Sequence, residues 1–399
     1  MTIKNLTIPV SLSSSEFFEN PYPFYDKLRS IHPIYKGNFL KYPGWYVTGY
    51  AEAAAILKDT RFKNRIPLPE NSQKYSELKN MQHHMMLFKN PPDHKRIRML
   101  VSRAFTPRFA ESYRPYINET VNVLLNEVQY KRTMDVVSDF AFPLASLIIA
   151  KMLGVPAGES YQFREWAASL IQTIDFTRSR KELTKGNDKA IKLIAYFKDL
   201  IQQKKHNPQN DLISMLMKEQ QDDRLSDEEL LATCILLVIA GHETTVNLIS
   251  NSILSLLNHP EKLMELKEKP SLIESAVEEF LRYESPTQMT ARVASEDIEM
   301  NGMMIKKEEH VYILLGAANR DPKKFAHPHV LNITRNPNPH LAFGQGIHFC
   351  LGSSLARLEA QIAICTLLQR IPNLQLSTPN VQYRKLIGFR SLTELPVTF

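Results

Sequence analysis

Cys350 stands alone ahead of an amphipathic run from Leu351 to Arg370. Within it Leu351, Leu355, Leu358, Ile362, Cys365 and Leu368 recur every three or four residues. That period predicts a helix with one buried stripe. Cys350 then lies at the helix N-terminus, where free N–H groups and the positive end of the dipole stabilise an anion. A thiol so placed is expected to have a lowered pKa, and the thiolate is the form that ligates metal. Three of the thirteen glycines fall between Phe343 and Gly352, so the backbone must turn tightly or approach something closely there. A buried structural cysteine is the alternative.

Three further groups carry chemistry by type and spacing. His94 and Arg98 are four apart behind Pro91-Pro92-Asp93, a helix start with Asp93 as the expected N-cap. They project from one helical face and suit a bidentate anion; a solvated surface is the plainer reading. Ala240-Gly241-His242-Glu243-Thr244-Thr245 lies in the middle of an apolar helix. Gly241 costs roughly 0.5–1 kcal/mol there against alanine, and a buried Glu243 must find partners. Such breaches are expected where function overrides stability, although a kink alone would also explain them. His242-Glu243 does not complete the zinc motif HExxH, because the fifth position is Val246. Glu279 and Arg282 are helical neighbours that alone would read as a surface pair.

These residues need a scaffold. The 399 residues are 43% hydrophobic and 23% charged, which is ordinary for a globular protein, and the low glycine count favours helix. No linker, repeat or low-complexity tract divides the chain, so one domain over 1–399 is expected. Residues 21–33 predict a first helix, Trp45–Thr48 a strand and Tyr50–Lys58 a short helix. Residues 61–90, with Pro67 and Pro69, show no clear period and read as a long functional loop. Helices are expected at about 112–128, 139–153, 160–172, 181–205 and 210–220. Ser226-Asp227-Glu228-Glu229 is a capping box opening a helix to about Asn258, roughly 45 Å long. Its middle is apolar on every side, so it should run through the centre. A helix over 270–283, a hairpin at Asn301-Gly302, a buried strand over Val311–Leu315 and a final β-segment at Leu395–Phe399 complete the pattern.

Met1–Asn20 lacks the pattern of a signal peptide. The apolar run Leu230–Gly241 is too short to span a membrane. Three cysteines without paired spacing point to a reducing, cytoplasmic setting. The net charge of +7 favours acidic partners or a solvated basic surface. No basic arm or aromatic–basic repeat suggests nucleic acid. Gly344-Gln345-Gly346 is no dinucleotide fingerprint, so electrons must come from outside.

Phe343, Gly344, Gly346, His348, Cys350 and Gly352 together resemble the haem-ligand loop of the cytochrome P-450 family, with Gln345 where that family most often has histidine. The resemblance covers essentially the whole chain. It implies a mainly α fold with a small β subdomain, and haem b held between the two long helices that begin near 226 and 351. Cys350 would be the axial ligand of the haem iron, a thiolate that favours O–O cleavage. Phe343 and Gly344 would lie against the haem, and His94, Arg98, Arg292 and His348 would meet its propionates. Gly241 would leave room beside the iron. Thr244 would bond back to the Ala240 carbonyl and, with Glu243, relay protons to oxygen. Glu279, Arg282 and Arg335 would form a structural triad. Met85, Met86, Leu87, Phe88, Leu170, Ile174, Ala240, Gln288, Met289 and Thr290 would line the substrate pocket, with core packing the alternative for the first four. Leu170–Phe176 would belong to a lid. O2 would be a substrate, and a flavodoxin or ferredoxin, docking near Lys95, Arg96 and Arg357, would donate electrons.

Four stretches resemble one bacillus member of that family more closely: Tyr42–Trp45, Phe140–Pro143, Gln172–Arg180 and Tyr283–Gln288. That resemblance implies in-chain hydroxylation and C–C cleavage of long fatty acyl chains, free or on acyl carrier protein, to a pimeloyl product for biotin synthesis. Arg178, Arg180 and Lys181 would receive the acidic carrier protein, with a solvated charge run as the alternative. A general fatty-acid or lipophile hydroxylase and a non-catalytic haem or lipid binder are the other readings; Glu243 and Thr244 favour turnover over the last.

Overall fold

The computed structural model describes residues 14–39, 43–66, 68, 73–220 and 225–399. The start of the Met1–Asn20 segment, Tyr42, Pro67 and Pro69, which enter the readings above, lie outside the described residues. The central helix is Asp227–Leu257, opened by the expected capping box: Ser226 Oγ accepts from the Glu229 N–H at 3.1 Å, and Glu229 Oε2 accepts from the Ser226 N–H at 3.1 Å. Arg96 adds two bonds to the same carboxylate, at 2.6 and 2.9 Å. The helix continues unbroken past Gly241. Helices Phe142–Leu153, Phe163–Ile174, Arg180–His206 and Ser353–Arg370 pack around it.

Two helical stretches, Val136–Leu153 and Asp227–Leu257, are longer than the run Leu230–Gly241 suggested. By length and composition each could cross a membrane, but 67% and 78% of their apolar windows are buried within the protein. Their hydrophobicity is that of core helices.

The β-structure lies at the edge of the helical body. Among the described residues ten strands form three sheets: β1 (Ile34–Gly37), β2 (Gly44–Val47), β3 (Phe62–Lys63), β4 (Thr133–Asp135), β5 (Met289–Ala294), β6 (Ile298–Met300), β7 (Met303–Ile305), β8 (His310–Leu314), β9 (Gln375–Leu376) and β10 (Pro396–Thr398). The main sheet has the order β1-β2-β8-β5-β3, with β2 and β8 parallel and the other pairs antiparallel. β5 carries Arg292 opposite Val311 of β8. β6 and β7 form the expected hairpin, and Asn301 and Gly302 take the positive φ that its tight turn requires.

Several expectations change. A short helix, Ser15–Glu19, precedes Tyr22–Ile31, and another, Pro107–Ser112, precedes Arg114–Val128. Residues 61–90 are no loop: they hold β3, helix Ser76–His84 and a 3₁₀ turn, Met86–Phe88, each too short for a period to register. Asp93 is the first residue of its helix rather than the cap, and pairs with Arg96 at 3.5 Å. The helix after the cysteine begins at Ser353, and burial of Ala360, Ala363, Ile364 and Leu367 as well widens the predicted stripe to most of its circumference.

The Glu279 triad is assembled as the resemblance implies. Arg282 is fully buried and clamps Glu279 through two bonds of 2.8 Å, and Arg335 Nε donates to Glu279 Oε2 at 3.0 Å. Asn332 N and Asn338 Nδ2 add bonds to the same carboxylate, tying the chain leading to Phe343 onto helix Ile273–Tyr283. Glu279→Ala strands two guanidinium groups, and we expect it to cost about 3–5 kcal/mol. Urea unfolding should show the lowered midpoint; a loss under about 1 kcal/mol would match an ordinary surface pair instead.

Candidate functional site

The cysteine loop closes through a 2.8 Å bond from the Cys350 N–H to the Phe343 carbonyl. Gly344 and Gly346 both take positive φ, the left-handed region that glycine enters without strain. A Cβ on Gly346 would also lie 2.4 Å from the Leu57 carbonyl, so the loop can seat on helix Tyr50–Lys58 only with glycine there. The ring of Phe343 faces the Arg357 guanidinium at 4.5 Å.

The Cys350 thiol departs from expectation. Burial pushes its pKa up, and this outweighs a bond from the Gly352 N–H and the positive charges of Arg98 and Arg357. The helix N-terminus is three residues further on, and the dipole acts strongly only near its end. A metal cation at the sulfur would reverse that balance, because a coordinating thiol loses its proton outright.

Four donors converge behind this loop. The rings of His94 and His348 lie 4.1 Å apart. Burial is the main reason that His94 is lowered to about 4 and His348 to about 3, so both are neutral. His94 Nδ1 and Nε2 differ: Nε2 is buried with no partner among the described residues. Arg98 donates to the Phe349 carbonyl at 2.6 Å. Arg292 is buried and bonds only the Ala291 carbonyl (2.8 Å) and Thr290 Oγ1 (3.1 Å); desolvation pulls it down to about 10. No carboxylate among the described residues bonds Arg98 or Arg292. Asn64, which the sequence did not single out, lies 3.1 Å from His348 Nε2 and is itself clamped by Asn90. Two arginines and an orphaned imidazole nitrogen without a counter-charge fit the two propionates of a haem.

Across from the loop, the central helix opens on one face. Ala240 is exposed and Leu237, Gly241 and Thr244 are half-buried, at the helical spacing of a single stripe, within a helix otherwise buried. Such a face in the middle of a core helix suits a flat group lying against it. Thr244 Oγ1 donates to the Ala240 carbonyl at 2.8 Å as expected. Gly241 lies on that open stripe, and its smallness also serves packing: a Cβ there would run into Ile149 Cδ1 of helix Phe142–Leu153. Glu243 does find partners. Arg384 Nη1 bonds both carboxylate oxygens, at 2.8 and 2.9 Å, and Asn247 donates at 3.4 Å. Nothing in the sequence marked Arg384, which lies 141 positions away. His242, on the opposite face, bonds the Val238 carbonyl at 2.6 Å, and burial lowers it to about 4.

The expected pocket residues divide. Met85, Leu87, Phe88, Leu170 and Ile174 line one apolar cleft with Leu236 and Ile239 of the central helix, just before Ala240. Met86 is buried next to the cleft without lining it. Gln288 and Met289 belong elsewhere. Gln288 bonds Tyr25 and the Ser285 carbonyl and covers Gly316, while Met289 packs in an aromatic cluster with Phe17 and Tyr25. Strand β5 turns them toward the N-terminal helices.

The expected lid is shorter and more firmly held. Helix runs to Ile174, so the junction is Asp175–Ser179. Asp175 is fully buried; its carboxylate accepts from the N–H groups of Thr177 and Gly388 at 2.9 and 2.8 Å and from the Thr177 hydroxyl at 2.6 Å. Of the cations assigned to an electron donor, Arg96 is paired with Glu229 and Arg357 with Glu278 (2.6 and 2.8 Å), while Lys95 is exposed.

A family model described as Cytochrome P450 matches residues 5–385. The chain is 66% identical to the biotin biosynthesis cytochrome P450 of Bacillus subtilis (strain 168), over 99% of this chain and 100% of that protein. It is similar to the crystal structure of P450BioI in complex with hexadec-9Z-enoic acid ligated acyl carrier protein, with a TM-score of 0.94 and 67% identity, covering 96% of this chain and 100% of that one. It also resembles myxobacterial cytochrome P450 CYP267B1 in complex with myristic acid, with a TM-score of 0.91 and 38% identity, covering 97% and 98%.

Arg292→Leu should weaken haem retention about ten- to a hundredfold, the worth of one charge-assisted hydrogen bond. The rate of haem transfer to an apo acceptor protein measures this. Unchanged retention would remove Arg292 from the propionate site.

Proposed function

The chain belongs to the cytochrome P450 family of monooxygenases, and we propose that within it the protein oxidises long fatty acyl chains. The proposed reaction is in-chain hydroxylation followed by C–C cleavage to a pimeloyl product for biotin synthesis, with the chain carried on acyl carrier protein or free. The near-full-length identity of 66% to a biotin biosynthesis cytochrome P450 carries this reading. The cleft supports it, being apolar along Met85, Phe88, Leu170, Ile174, Leu236 and Ile239, as a hydrocarbon chain requires.

Haem b, held by Cys350 and by His94, Arg98, Arg292 and His348, would supply activation of O2 with two electrons and two protons, one oxygen atom entering the substrate and the other leaving as water. The protein's own part is positional and protonic. The cleft residues hold the chain beside the open stripe of the central helix and exclude water. Thr244 presents its hydroxyl on that stripe, half-buried. The Glu243 carboxylate is held by Arg384, so it can join a proton relay only as that contact loosens.

Two partners follow. Arg178, Arg180 and Lys181 lie at or just after the junction Asp175–Ser179. This basic cluster suits an acidic carrier protein. Electrons come from a flavodoxin or ferredoxin at the cysteine-loop face, where Lys95 is exposed and Met99 and Phe349 expose apolar area. A cytoplasmic site of action goes with both partners.

The haem-loaded protein, acyl carrier protein loaded with chains of several lengths and a flavodoxin or ferredoxin system should give a pimeloyl product by mass spectrometry. Monohydroxylated chains alone would reduce the activity to plain fatty-acid hydroxylation, and no oxidised product would overturn the reading. Thr244→Ala should keep its haem but divert most of its reducing equivalents to hydrogen peroxide. Unchanged coupling of reductant to product would take Thr244 out of proton delivery.

A further inference from the structure

Two polar side chains, Gln82 and Thr173, break the apolar lining of the cleft. Gln82, on helix Ser76–His84, lines it beside Met85, Leu170 and Thr173 and is 1% exposed. The orientation of its amide is set by its neighbours. The Thr173 hydroxyl donates to the Leu170 carbonyl at 2.6 Å, so its oxygen is left to accept, and Gln82 Nε2 donates to it at 3.3 Å. Turning the amide over would put two acceptors face to face. Gln82 Oε1 is thereby fixed as the free end, and it has no partner among the described residues. Thr173 is itself held, because its Cγ2 fills the space that Gly186 leaves in helix Arg180–His206. The cleft wall therefore holds one buried hydrogen-bond acceptor without a partner among the described residues, while its other polar side chain, Thr173, is already bonded. An unsubstituted acyl chain cannot use it, and would leave the oxygen desolvated without a bond. A chain bearing a hydroxyl can.

We propose that Gln82 Oε1 accepts a hydrogen bond from a hydroxyl on the acyl chain, so that the cleft binds a once-hydroxylated chain more tightly than its unsubstituted parent. The inference rests on the fatty acyl reading above and deepens it. C–C cleavage calls for more than one oxidation of the same chain, and a site that grips the first product holds it for the next round. Gln82 is then a specificity-determining residue, and the position of the preferred hydroxyl is read by its distance from the chain end. A keto group, which only accepts, gains nothing from Oε1.

The test titrates the haem-loaded protein with hexadecanoic acid, with hydroxyhexadecanoic acids whose hydroxyl is walked along the chain, and with the matching oxo acids, reading affinity from the haem absorbance shift and from calorimetry. One hydroxy isomer should bind about tenfold more tightly than the parent acid. Its oxo analogue should match the parent. In Gln82→Met, similar in size but without the acceptor, the preference should vanish while the parent acid binds as tightly as before or more so, which also shows that the variant is folded. Failure of every hydroxy isomer to exceed the parent would overturn the proposal and leave the acyl reading standing, as would a preference that survived in Gln82→Met or an equal gain by the oxo acid. Failure of any acid to bind would overturn the acyl reading and this proposal together.

Discussion

Behind Cys350 the fold collects two guanidinium groups and two neutral imidazoles, and no carboxylate among the described residues bonds either arginine. Arg292, buried, comes from strand β5, half-buried Arg98 from the helix that also carries His94, and half-buried His348 from the cysteine loop, so three separate segments converge on one uncompensated site. Desolvating a guanidinium is expensive, as the lowered pKa of Arg292 records. The cost is tolerable only if a dianionic group completes the site, and the neighbouring sulfur then acquires a cation that overrides its own burial. Haem and protein are in this sense two halves of one charge balance. The Glu279 triad belongs to the same balance at one remove, because it fixes the chain that leads into the loop.

The features legible in the sequence were those whose meaning is local. The cysteine loop, the capping box of the central helix and the Asn301-Gly302 turn each declare themselves within a few residues. So did the Thr244 back-bond, since its partner is one helical turn away. What escaped was a set of isolated polar residues whose partners lie far along the chain. Arg384 reaches Glu243 from the C-terminal segment, Gln82 reaches Thr173 from a different helix, and Asn64 reaches His348 across most of the sequence. No spacing rule can register a pair of this kind. Short elements escaped too: between Phe62 and Phe88 the chain changes conformation before any period can repeat.

Some residues answer to more than one neighbour. Gly241 lies on the open stripe of the central helix and also admits Ile149. Met289 packs in the N-terminal aromatic cluster and Gln288, just before β5, accepts from Tyr25 of that cluster, a placement set by distant segments that the local sequence does not reveal. In the region expected to form a lid, the junction Asp175–Ser179 is fastened through the buried carboxylate of Asp175.

That aspartate and Glu243 meet the same short piece of chain. Residues 384–388 give Glu243 its guanidinium at one end and give Asp175 its backbone N–H groups at the other, and Arg390 just beyond is fastened to the carbonyls of Phe18 and Glu19. The segment works as a tie-rod between the junction Asp175–Ser179 and the carboxylate of Glu243. An insertion or proline placed there would shift both ends. Attempts to retune chain-length preference without disturbing turnover are better aimed at the cleft walls than at this rod.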